Sequence, residues 1–284
     1  MRQVVVLAVA AWVGGSSIDA QATDRLVTVG SDVTEIVFAL GAGGSVVAVD
    51  STSTYPPAAD ALPDVGYLRQ LSAEPIIAMA PDLVLAGADA GPLSVLQQLE
   101  SAGIPVIGIT GEDSAQGLDE KIEQTGRALR LDRQASLLSR EVGEALARLE
   151  GKRALIASPP RALLLVSAGQ GRLMAAGQGS SGDHIIELAG GVNAAQGFAG
   201  YKPLSAEAAV SAAPDLIIVP SHSVEAIGGE AEIPRLPQLA ATPAASGGHV
   251  VVVDSLLLLG FGPRLAEGAE QLADAFLTWE RRAR

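Results

Sequence analysis

Short, largely apolar runs punctuate the chain at 26–29, 46–49, 83–85, 106–109, 163–166, 216–219 and 250–253. They do not alternate strictly with polar residues, which marks strands covered on both faces, as in a parallel sheet between helices. Longer stretches at 33–40, 92–102 and 266–279 have helical patterning, and Gly or Pro bounds several of them. Strand and helix signals alternate from end to end, so the pattern predicts an α/β fold.

An internal echo divides this pattern into two. The segment Gly66-Tyr67-Leu68-Arg69-Gln70-Leu71-Ser72-Ala73-Glu74, followed by Ala80-Pro81-Asp82-Leu83-Val84-Leu85, returns as Gly200-Tyr201-Lys202-Pro203-Leu204-Ser205-Ala206-Glu207 and Ala213-Pro214-Asp215-Leu216-Ile217-Ile218. Leu71 and Leu204, like Asp82 and Asp215, lie 133 positions apart. A weaker echo pairs 35–41 with 184–190. Repetition at this spacing predicts two equivalent lobes, 23–132 and 153–284. The intervening stretch 133–152 contains no Pro and spaces Leu138, Val142, Ala145 and Leu149 three or four residues apart. It reads as one stiff helix about 30 Å long, which would limit closure of the lobes.

The first 22 residues read differently from the rest. Arg2, an apolar run at 4–13 and Ala20-Gln21-Ala22 form the three parts of an export signal, with cleavage expected after Ala22. The apolar run is too short to span a bilayer, which takes about 20 residues. Removing the signal leaves 262 of 284 residues, enough for two lobes with their own cores. The chain has no cysteine, hence neither a disulfide framework nor a lipid-modified cysteine. A periplasmic location is the expectation. The net charge of −13 argues against nucleic acid or an anionic membrane as partner, since both need a basic face.

Across the mature chain these residues resemble the helical-backbone class of periplasmic binding proteins of ABC importers, and within it the haem-transport branch. The most specific pieces are Gly66 to Glu74, Gly200 to Glu207 and Leu259-Gly260-Phe261-Gly262-Pro263-Arg264. Leu-Ser-Ala-Glu is shared across the class, whereas the preceding Tyr-x-Arg marks the haem branch. The resemblance implies two Rossmann-like lobes around a ligand cleft, haem as transported cargo and no chemistry upon it. It also implies delivery to a permease dimer in the inner membrane, with an outer-membrane haem receptor upstream. A monomer is expected.

The resemblance makes Tyr67 the axial ligand of the haem iron. The chemistry agrees: Tyr67 follows the loop signal Leu62-Pro63-Asp64-Val65-Gly66, and phenolate is an established ligand of haem iron. Haem also carries two propionates, which call for cations at the rim of an apolar cleft. Arg69, Lys202 and Arg264 lie in family-like motifs, with Tyr201 beside them; Arg172 is a weaker candidate outside those motifs. Arg69 could also stabilise negative charge on Tyr67.

Among the three histidines, His249 opens a strand and His184 a helix, so both have structural readings. His222 instead follows the run 216–219, at the carboxyl end of a predicted strand, where open α/β sheets place ligands. The resemblance implies arginine there, so His222 is a departure: a second axial ligand, a hydrogen-bond donor to Tyr67 or an ordinary loop residue. Glu74 and Glu207 sit at matching helix starts, where a negative charge suits the helix dipole. The resemblance gives them a second role, docking to arginines of the two permease subunits.

Enzymatic readings lack their residues. The chain holds no Gly-x-Ser-x-Gly, His-Glu-x-x-His or Walker sequence, and Gly169-Gln170-Gly171 completes no nucleotide loop. The rivals are a binder of ferric siderophore or cobalamin in the same class and an exported haem-processing enzyme.

Overall fold

The computed structural model describes residues 24–167 and 172–283. The expected export signal and Gly169-Gln170-Gly171 therefore lie outside the described residues. Four strands form the first sheet: β1 (Leu26–Val29), β2 (Val46–Val49), β3 (Leu83–Gly87) and β4 (Val106–Ile109). Their order is β2-β1-β3-β4, and all are parallel. β1 and β3 are buried along their full length, as strands covered on both faces must be.

The second sheet has the same parallel heart and an addition. β5 (Arg161–Ser167), β9 (Leu216–Pro220) and β10 (Val250–Val253) run parallel in the order β10-β9-β5. Beyond β5, β6 (Leu173–Ala176) and β8 (Tyr201–Pro203) continue the sheet antiparallel, while the two-residue β7 (Val192–Asn193) pairs parallel with the start of β5. Only a short connection separates β5 from β6, too short for the crossover a parallel pair needs, so the chain can only double back.

The helix Asp132–Arg153 joins the lobes; its 22 residues make a rod of about 33 Å. Its buried stripe of Ala135, Leu138, Val142 and Leu149 belongs to one hydrophobic cluster with Ile36 and Ile122 of the first lobe and Ile185, Leu272 and Phe276 of the second. The C-terminal helix Leu265–Ala283 contributes Ala269, Leu272, Ala273 and Phe276 to this core. The connecting helix is thus anchored on both sides. Among the described residues no helix is long and apolar enough to cross a membrane.

A largely buried ion pair links the two lobes. Glu35 lies on the helix Ser31–Ala39 that follows β1, and Arg264 follows the helix Ser255–Leu259 after β10. The Arg264 Nη2 and Nε atoms donate to Glu35 Oε2 at 3.0 and 3.2 Å, and its backbone N–H donates to Oε1 at 3.0 Å. The guanidinium also stacks 3.3 Å from the Tyr55 ring centroid.

Candidate functional site

Tyr67 is raised on a short, well-anchored turn. The backbone of Val65 pairs with Val49, and the amide of Ser51 donates to the Gly66 carbonyl at 3.0 Å. Gly66 then takes a φ of +104°, a conformation that side chains resist, and the chain turns sharply outward. Leu68, the first residue of the 3₁₀ turn Leu68–Gln70, and Leu71, just past its end, are buried. The Leu68 and Gly91 backbones also bond to each other, at 2.8 Å. Between these anchors the Tyr67 ring stays 40% exposed.

A cation is fixed against its oxygen. Arg69 Nη1 donates to Tyr67 Oη at 2.8 Å, and Nη2 reaches the Asp89 carboxylate. Burial disfavours the Arg69 charge, but the bond to Tyr67 and the attraction of Asp89 outweigh it and raise the guanidinium pKa. One guanidinium bond leaves a lone pair of the phenol oxygen open to a metal centre. Asp89 lies two residues past the end of β3, at the carboxyl edge of the sheet.

His222 holds the matching place in the other lobe, two residues past the end of β9 and 133 positions after Asp89. Its Nδ1 lies 2.7 Å from Ser255 Oγ and its Nε2 3.1 Å from Ser223 Oγ. Both ring nitrogens are engaged, and partial burial lowers the imidazole pKa. The first lobe also carries a charged cluster. Lys121, 4% exposed, donates to Asp32 at 2.8 Å and lies 3.9 Å from Asp113. Burial pushes the Asp113 carboxyl up, against the pull of Lys121, and the charges of Asp32 and Asp89 add to the rise.

Such a pair of α/β lobes on one rigid helix, with polar groups at facing sheet edges, has clear relatives. Residues 26–257 match the family model described as Periplasmic binding protein. The chain belongs to the periplasmic binding protein family. It is 36% identical to the apo periplasmic heme-binding protein RhuT from Roseiflexus sp. RS-1, covering 90% of this chain and 99% of that one with a TM-score of 0.87. The periplasmic heme-binding protein HutB of Vibrio cholerae is 35% identical over 88% of this chain and 97% of its own, with a TM-score of 0.78. An uncharacterized ABC transporter substrate-binding lipoprotein, YvrC of Bacillus subtilis strain 168, is 28% identical over 88% of this chain and 79% of its own.

In this periplasmic binding protein the other candidate residues have separate surroundings. The Tyr201 hydroxyl lies 2.8 Å from Ser181 Oγ and accepts from the Gly182 amide at 3.3 Å; burial raises its pKa, against those bonds. Tyr201 therefore fastens strand to helix, whereas Tyr67 stands free of such packing. Lys202 is exposed, 5.7 Å from the Phe198 ring centroid, and Arg172 is exposed at the start of β6. Arg264 is committed to Glu35 and Tyr55. Glu74 and Glu207 are exposed near the starts of the helices Ala73–Ala78 and Ala206–Ala212. Bonds from the Glu207 amide and Ser205 hold the Glu207 carboxyl below its usual range.

Sequence reasoning missed Asp89, Glu35 and Lys121. Asp89 carried a usable signal, because it follows a strand as His222 does. Glu35 did not, since its partner Arg264 is 229 residues away.

Proposed function

We propose that this protein binds haem in the periplasm and hands it to the permease dimer of an ABC importer, with Tyr67 as the axial ligand of the iron. The observation that carries this reading is the exposed phenol of Tyr67 with Arg69 on its oxygen, in a chain so similar over its full mature length to proteins that bind haem. Haem iron accepts phenolate, and the adjacent guanidinium suits the negative charge that ligation develops. Arg69, Lys202 and Arg172 are cations available to the propionates. Arg264 acts from beneath, holding the lobes at the spacing that admits the ring, and Tyr201 shapes the wall opposite.

His222, with a serine on each ring nitrogen, offers no free lone pair to the iron, so the iron is five-coordinate in this reading. Glu74 and Glu207 are the docking charges for the permease. The protein works as an exported monomer, freed of its signal after Ala22 and supplied by an outer-membrane haem receptor, and it leaves its cargo chemically unchanged. Equilibrium dialysis of the mature protein against hemin, cyanocobalamin and a ferric hydroxamate siderophore tests the ligand class. Retention of hemin alone is expected; retention of either other ligand in preference to hemin would overturn the assignment.

A further inference from the structure

The two helices that carry Glu74 and Glu207 match in more than their acids. One turn after each glutamate stands an aliphatic side chain turned to solvent, Ile77 at 42% exposure and Val210 at 45%. Their inward neighbours Ile76 and Ala209 are fully buried, so each helix has one anchored face and one presented face. Isolated exposed aliphatics are ordinary on a protein surface. Two at the same 133-residue offset, each three residues after an exposed carboxylate, make a repeated pad.

Both helices are also fastened at the far end by the same device. Arg25 Nε donates to the carbonyls of Met79 and Ala80 at 3.2 and 3.0 Å, and Arg161 Nε and Nη2 donate to the Ala212 carbonyl at 3.1 and 2.9 Å. The Arg25 and Arg161 amides donate to Asp82 and Asp215 at 3.0 and 2.8 Å, and the Asp amides return bonds to the Arg carbonyls. Ala80 and Ala213 share left-handed φ values of 46° and 43°. A guanidinium on the last carbonyls satisfies groups the helix leaves open and fixes its direction. These helices are short, and this fastening makes them rigid display elements.

We infer that each docking site is a two-part pad, a carboxylate with an aliphatic residue one turn on, Glu74 with Ile77 and Glu207 with Val210, oriented by Arg25 and Arg161. The inference rests on the permease-docking reading above. The partner it fits is a membrane dimer of like subunits, each presenting a cation beside an apolar patch, because two equivalent pads demand two equivalent receptors. The carboxylate contributes steering and register, and the aliphatic contact contributes burial that salt does not screen.

The test uses cells lacking the chromosomal copy and carrying full-length variants, with hemin uptake measured at limiting expression and hemin titration of each purified protein alongside. Ile77→Ser with Val210→Ser is expected to lower uptake about tenfold while hemin affinity and melting temperature stay as in wild type. The exchange Ile77→Val with Val210→Ile keeps both pads apolar and should retain uptake. Glu74→Ala with Glu207→Ala is the control for the docking reading. If that pair lowers uptake and the serine pair does not, the pad inference is overturned and docking stands. If neither pair lowers uptake, docking itself fails and the inference with it. Loss of hemin binding in the serine pair would also overturn the inference, by assigning these residues to the cleft or the fold.

Discussion

At the residue scale, two side chains separate ligation from its support. Removing Tyr67 deletes the only anionic ligand assigned to the iron, so Tyr67→Ala should weaken hemin binding by at least about tenfold, read by spectral titration. His222 makes a subtler prediction. Burial lowers its pKa, so the folded protein binds this proton less readily than the unfolded chain, whose reference value is near 6.5. Its stabilising contribution is therefore present above about pH 6.5 and is lost as pH falls through the lower folded value. His222→Gln should flatten this part of the decline in melting temperature on acidification, and identical curves for variant and wild type would show that the group does not titrate as described. The place of His222 was legible because strand ends are legible. Its serine partners were not: Ser255 lies 33 residues on, and only the pairing of β9 with β10 brings the two together.

At the scale of elements, the turn that presents Tyr67 is held by two buried leucines as well as by its backbone bonds. Leu71, 4% exposed, packs in a cluster with Leu68, Ile76 and Val95. Leu71→Ala should cost about 2–4 kcal/mol in urea unfolding. Hemin affinity should fall less than in Tyr67→Ala, since the phenol itself remains. The seven apolar runs mark the parallel strands most clearly where burial on both faces leaves no polar position to blur them, as in β1, β3 and β9. β7 and β8 escaped that reading, being only two and three residues long, and β6 lies in a part of the second lobe that the internal echo does not cover. The echo of Gly66-Tyr67 in Gly200-Tyr201 is closer in sequence than in local structure: β8 is an edge strand paired to β6, whereas Tyr67 precedes a 3₁₀ turn. Beyond Leu71 and Leu204 the copies match again, each entering a short helix and then a buried strand.

At the scale of the whole molecule, the connecting helix and the Glu35–Arg264 pair each tie one lobe to the other. Burial pushes the Glu35 carboxyl up, and the bonds and charge of Arg264 oppose the shift without cancelling it. A raised carboxylate contributes stability that is full below its unfolded pKa and is lost as pH rises through the folded one. Glu35→Gln should therefore gain in stability relative to wild type as pH rises above the unfolded carboxylate value. Arg264→Ala should cost about 3 kcal/mol or more at neutral pH, because it strands a buried carboxylate. Chemical denaturation of both variants at two pH values checks this asymmetry. The Lys121–Asp32 pair and the Glu35–Arg264 pair were the least legible parts of the protein, since their partners come from distant segments that no periodicity links. The central claim, that Tyr67 ligates haem, meets its most direct test in the absorption spectrum of the mature protein titrated with hemin beside Tyr67→Phe. Wild type should saturate with a five-coordinate, high-spin tyrosinate-type ferric spectrum that Tyr67→Phe does not give. The same spectrum from both proteins would contradict the account.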